Sequence, residues 1–133
     1  MASRRKARIQ AFKALYAWEI SGCLPDDDTT ETPLTDDFSR LLVAGSIENI
    51  SAIDAMIRRH LQNWVFSRVN RVDLAILRIS AYALMYQKET APSIVINEAI
   101  GISKEYGTDD SYRFINGVLD GIRKTLETTV REI

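Results

Sequence analysis

Four cations stand within five residues near the start of this chain, Arg4, Arg5, Lys6 and Arg8, and Lys13 follows them. The first eighteen residues carry these five cations and no acid. At about 100° per residue of helix, Arg4 and Arg8 stack on one side and Arg5 lies one step round. Guanidinium forks in this arrangement suit phosphate oxygens and base edges better than lysine ammoniums do. A cationic helix start in a mildly acidic small protein is the footprint of a polyanion site, and a nucleic-acid backbone is the commonest polyanion. On charge alone, a solvated N-terminal face is a slightly simpler account.

A second set of residues lies towards the other end. With Ile115, Val118, Leu119 and Ile122 turned inward, Arg113, Asn116, Asp120 and Arg123 share a polar stripe, and Phe114 falls at the opposite margin of the apolar face. An asparagine and an aspartate so placed can read base edges, and a phenylalanine can stack on an unpaired base. The alternative keeps Phe114 in the core and pairs Asp120 with Arg123 or Lys124.

Other chemistries find little support. The sequence has no glycine-rich phosphate loop, no serine–histidine–acid set and no paired carboxylates on a buried helix face. His60 is the only histidine and follows Arg58 and Arg59 near a helix end, where a surface or capping role is expected. Cys23 is the only cysteine, which excludes an internal disulfide and leaves thiol chemistry or a zinc site without partners. The expectation is a protein that is not an enzyme and holds no metal or cofactor. No apolar run approaches membrane-spanning length and no signal-peptide pattern is visible, so a cytoplasmic location is expected.

The elements that must position these residues are helical. The chain has 133 residues, 46% of them hydrophobic, enough for one domain with a real core. Apolar residues recur at helical spacing and period-two alternation is nearly absent. A first helix is predicted over Arg4 to Ile20, closed by Ser21 and Gly22. An acidic connection follows: from Glu19 to Asp37 there are seven acids and no cation. Thr35 is the predicted cap of a second pattern running through Phe38, Leu41, Leu42, Gly45, Ile50, Ile53, Ile57 and Leu61, with a kink or break expected at Gly45–Ser46. Trp64 and Phe66 are expected to pack this half against the next. A third helix is predicted from about Asn70 to Tyr86 and a fourth from Pro92 to Tyr106, ended by Gly107. A fifth follows a cap at Thr108–Asp109–Asp110 and should fray from about Glu127. The fold class is all-α, a compact two-subdomain helical bundle with halves of about 1–65 and 66–133.

Four stretches stand out together: Ser3-Arg4-Arg5-Lys6-Ala7-Arg8 followed by Ala14-Leu15-Tyr16-Ala17-Trp18; Trp64 leading to Asp73-Leu74-Ala75-Ile76-Leu77-Arg78-Ile79; Pro92 with Ile96-Asn97-Glu98-Ala99; and Phe114-Ile115-Asn116-Gly117-Val118-Leu119-Asp120. Together these stretches resemble the NusB family of bacterial transcription antitermination factors. They occur in the family's order and spacing and span nearly the whole chain. The resemblance implies a NusB-like, two-subdomain helical fold without catalysis. It implies binding to the boxA element of nascent ribosomal transcripts, and a partner, NusE, the small-subunit ribosomal protein that doubles as an elongation factor. It further implies assembly with RNA polymerase and other Nus factors, and in some family members a homodimer.

Carried onto this sequence, the resemblance implies RNA contacts from Arg4, Arg5, Lys6, Arg8, Phe114, Asn116 and Asp120. It implies NusE contacts from Tyr16 and from the third helix around Tyr82. Ala83 stands where the family commonly has a glutamate linked to that contact, so partner affinity is expected to be weaker or differently built. Two other readings remain open at this level: the accessory RNA-binding domain of an RNA cytosine methyltransferase, and a protein–protein adaptor with no RNA role.

Overall fold

A computed structural model describes residues 4–22, 36–62 and 65–131. Cys23, the body of the acidic connection, Thr35 and Trp64 lie outside the described residues, so the expectations placed on them are not taken further. Within the described residues the chain forms six α-helices and one short 3-10 turn: α1 (Arg4–Ser21), α2 (Asp37–Glu48), α3 (Ile50–Arg59), the turn Phe66–Arg68, α4 (Arg71–Tyr86), α5 (Pro92–Tyr106) and α6 (Ser111–Arg131). No strand occurs among them.

Local chemistry sets the helix ends. Gly22 closes α1 with φ +74, a left-handed conformation that costs glycine little. Asp36 caps α2, its carboxylate accepting the Phe38 N–H at 2.7 Å. The cap is therefore one residue beyond Thr35. Asn70 caps α4 by accepting the N–H groups of Val72 and Asp73, and Pro92 begins α5 where its missing N–H costs nothing.

Three boundaries depart from the sequence reading. The long second pattern does break, but at Asn49 rather than at Gly45–Ser46. The Asn49 side chain donates to the Gly45 carbonyl at 2.8 Å and its backbone N–H turns to the same oxygen, ending α2. Gly45 is instead buried under the Tyr82 ring, where a Cβ would overlap the phenol. Helix α6 starts at Ser111, with Thr108–Asp109–Asp110 folded into a turn that the Ser111 hydroxyl ties down by accepting the Thr108 N–H at 2.9 Å. It continues to Arg131, beyond the expected fraying point. Gly107 ends α5 at φ −92, outside the left-handed region; its role is space, because a Cβ would press on Ser111 and the Ser103 carbonyl.

Helix α4 is the hub and packs against each of the other five helices. Its residues Asp73 to Ile79 are all buried, so the helix is enclosed almost all round, with Asp73 and Arg78 as charged members of the buried run. Leu15, Leu42, Ile53, Ile57, Ile115, Leu119 and Ile122 of the other helices join Leu74, Ile76 and Leu77 of α4 as fully buried side chains. Truncating one such leucine to alanine costs about 2–5 kcal/mol in comparable cores. Leu41, expected on the inner face of α2, is half exposed, and the inward positions are taken by Ser39, Leu42, Val43 and Ser46.

Candidate nucleic-acid interface

The arginines of α1 are held by two different elements, α2 and α5. Arg4 and Arg8 both lean on the ring of Phe38, the second residue of α2, with guanidinium carbons 3.9 and 5.4 Å from its centroid. Arg5 points instead to α5. Its Nη1 donates to the Glu98 carboxylate at 3.2 Å, and the guanidinium lies across Gly101, where a Cβ would overlap it. Lys13 sits on the far side of the helix with its ammonium 5.0 Å from the Tyr106 centroid. Lys6 is exposed.

These contacts decide how much charge the helix start presents. An aromatic seat holds a guanidinium by its face and leaves the N–H edges available, at a gain of about 0.5–2 kcal/mol depending on exposure. Arg4 and Arg8 are therefore not neutralised by this contact, Arg4 exposed and Arg8 half-buried. Partial burial moves the Arg8 pKa below the ordinary arginine value, Glu98 pulls it back up and Arg4 lowers it; at neutral pH the group stays charged. Arg5 differs, because its half-exposed ion pair already spends charge on Glu98.

The second set lies on α6, and α5 stands between it and α1. Helices α5 and α6 form the most extensive packed pair in the fold, while Arg5 and Phe12 of α1 reach the opposite flank of α5 at Glu98, Gly101 and Tyr106. Lys104 of α5 and Arg113 of α6 both approach the ring of Tyr112, at 5.0 and 5.3 Å. Asn116, one turn further, is exposed. Phe114 is directed to the other flank, where it packs half-buried against the core and lines a cleft of about 250 Å³ with His60, Gln62, Arg113, Gly117, Val118 and Gly121. His60 closes α3 and hydrogen-bonds Thr125 Oγ1 through Nε2 at 2.9 Å, tying α3 to α6. Burial, and then Arg59, lower its pKa.

Asp120 does not stand ready for a base edge. It accepts from Arg123 at 2.6 Å and from Lys124 at 3.1 Å, and these partners hold its carboxyl below the usual range. A cytosine amino group would have to compete with two cations. Asn116 is the freer reader of the two.

Comparison with known proteins decides among the helical folds that carry such a surface. Residues 5–124 match the sequence model of the NusB family. The chain belongs to the NusB family. It is 50% identical over 129 residues to the transcription antitermination protein NusB of Treponema denticola, covering 90% of this chain and 95% of that one. It is 43% identical over 128 residues to that of Bacillus cereus, covering 92% and 98%. Among solved structures it superposes on T. maritima NusB with a TM-score of 0.79 at 36% identity over 92% of each chain. It also superposes, with a TM-score of 0.78 at 27% identity over 92% and 96% of the two chains, on a chain from the crystal structure of antitermination factors NusB and NusE in complex with dsRNA.

Two residues expected at a partner surface sit elsewhere in this NusB-family chain. Tyr82 is 7% exposed and Ala83 5% exposed. Tyr82 is held under α2 by its packing on Gly45, and Ala83 lines a gap of about 10 Å³ with Arg8, Leu42 and Val95. Neither offers area to a partner as placed, because α4 is enclosed on nearly every side. Tyr16 is exposed, and the aromatic that α4 does present is Tyr86, 43% exposed, its ring 5.4 Å from that of Tyr82.

Several residues that hold the helices or the α1 cations in place escaped the sequence reading. Phe38 read only as an apolar-face residue. Gly101 is a glycine inside a helix, a signal of close approach that could have been followed. Arg78 was read only as part of a family stretch. Its Nε and Nη2 donate to the Asp54 carboxylate at 2.9 and 2.8 Å, and its Nη1 donates to Glu19 at 2.9 Å, pinning α4 to α3 and α1. Burial alone would lower the Arg78 pKa, but the hydrogen bonds to Asp54 and Glu19 outweigh it. No group of residues among those described could hold a metal ion, and none of the described helices is long and apolar enough to cross a membrane.

Proposed function

We propose that this chain is a transcription antitermination factor that binds the boxA element of nascent ribosomal transcripts together with NusE and joins RNA polymerase with other Nus factors. The carrying observation is that Arg4 and Arg8 both rest on the Phe38 ring, Arg4 exposed and Arg8 half-buried within the field of Glu98, so that two guanidinium charges stand together at the start of α1. Membership of the family and the likeness to a chain crystallised with NusE and dsRNA support the same reading.

In this mechanism the chain performs no reaction. Arg4 and Arg8, with Lys6 beside them and Arg5 in part, neutralise successive phosphates; this supplies affinity without sequence information. Discrimination comes from the α6 side. Asn116 offers both a donor and an acceptor to a base edge, and Phe114 offers an aromatic margin to an unstacked base, at about 1–3 kcal/mol per good contact. NusE binding through a neighbouring face that includes Tyr16 then tightens the complex, and by linkage RNA tightens NusE by the same factor.

The test is an electrophoretic shift with boxA RNA and a scrambled RNA of the same composition, with and without NusE. The expected result is weak boxA binding alone, stronger binding with NusE, and weaker binding of the scrambled RNA in both cases. Equal affinity for the two RNAs in the presence of NusE would refute the proposal.

A further inference from the structure

Resting on that reading, we infer that Phe38 of α2 is a positioning residue for RNA binding, acting through Arg4 and Arg8 without contacting the RNA itself. The ring lies under both guanidiniums, 3.9 Å from one and 5.4 Å from the other, although the arginines belong to a different helix. The seat is firm on its other side. The Phe38 N–H is bonded to the Asp36 cap at 2.7 Å, the next residue, Ser39, donates its hydroxyl to the Asp36 carbonyl at 2.7 Å, and the Phe38 side chain packs half-buried against the core. The cap holds the backbone that carries the ring, and the packing holds one side of the ring against the core.

Two arginines near the end of a helix would otherwise sample many rotamers, and ordering them on a phosphate costs side-chain entropy each time. A ring that holds both guanidiniums removes part of that cost in advance. It also keeps two like charges close together, which their mutual repulsion opposes; Arg4 is one of the groups that lower the Arg8 pKa. The arrangement fits a ligand with adjacent negative charges, as in the backbone of a single RNA strand. It ties RNA affinity to the packing of α2 on α1, a coupling that neither helix shows alone.

The test is a double-mutant cycle on the full chain with labelled boxA RNA and NusE, comparing wild type, F38L, R4A/R8A and the combination. F38L keeps apolar volume and removes the ring. It should weaken RNA binding by about three- to tenfold, as expected for losing one cation–π seat, while thermal unfolding stays close to wild type and F38Y restores affinity. In the R4A/R8A background F38L should cost nothing further. A loss of the same size in both backgrounds, or no loss in wild type, overturns the inference. Scrambled RNA of the same composition is run beside boxA on the wild-type chain with NusE; equal affinities there would sink the underlying reading, whereas the F38L comparison alone decides this inference.

Discussion

Removing Arg4 and Arg8 together gives the sharpest test, because the structure separates these two Phe38-seated cations of α1 from Arg5, which is paired with Glu98. For single strands each neutralised phosphate contributes about −0.7 to the slope of log affinity against log salt. Four phosphate contacts from the helix start would give about −2.8, so raising salt fourfold, from about 50 to about 200 mM, should weaken wild-type binding by about 50-fold. With the two Phe38-seated arginines replaced by alanine the slope should flatten to about −1.4, and the same change in salt should cost only about sevenfold. Arg5→Ala should move the slope by less than either of the others, since Arg5 already spends charge on Glu98 at 3.2 Å and releases fewer counterions. Fluorescence anisotropy of labelled boxA RNA at four salt concentrations measures this directly, and far-ultraviolet circular dichroism confirms that helicity is kept. An unchanged slope in the double variant would refute the assignment of these arginines to phosphate. A larger change for Arg5 than for Arg4 or Arg8 would refute the ranking by pairing.

Asn116→Ala should lower affinity for boxA by an amount within about 1–3 kcal/mol and leave scrambled RNA nearly unaffected, read as the ratio of the two affinities; equal losses would assign Asn116 to structure. Asp54→Ala should destabilise the fold by about 3–5 kcal/mol in chemical denaturation, because it strands the Arg78 guanidinium, whose side chain is 6% exposed, with Glu19 as its one remaining acidic partner; a change below about 1 kcal/mol would mean that water reaches the pair. His60 has its folded pKa below the ordinary histidine value, so the unfolded state takes up a proton first as pH falls. Its contribution to stability is therefore present above the unfolded pKa and is lost as pH drops through about 6.5. His60→Gln should remove that part of the pH dependence between pH 7 and pH 5 in thermal melts, whereas an identical profile in the variant would show that other groups carry it.

Helix existence was legible at nearly every point where apolar spacing runs uninterrupted. The first, third and fourth helices lie within a residue of their expected bounds, since caps such as Asn70, Pro92 and Gly22 act on their own chain neighbours. Some misplaced features turned on local side chains that apolar spacing does not weigh, such as Asn49 and Ser111, and others on distant residues. Gly45 reads as a helix breaker, yet it is a landing place for Tyr82, thirty-seven positions away, while the break falls at Asn49. Leu41 reads as core and is exposed, because α1 and α4 approach α2 along a line that periodicity alone does not fix.

The candidate surface divides in the same way. Residue types and spacing were enough to name the cationic helix start, the polar stripe of α6 and, by resemblance, the family to which the chain belongs. They could not say that Arg4 and Arg8 rest on Phe38 while Arg5 turns to Glu98, that Asp120 is already satisfied by Arg123 and Lys124, or that Tyr82 and Ala83 lie inside. Amphipathic periodicity is a property of one helix, written in neighbours three and four apart. Which charges remain available to a ligand depends on contacts between helices, and those exist only once α4 has gathered the other five around it.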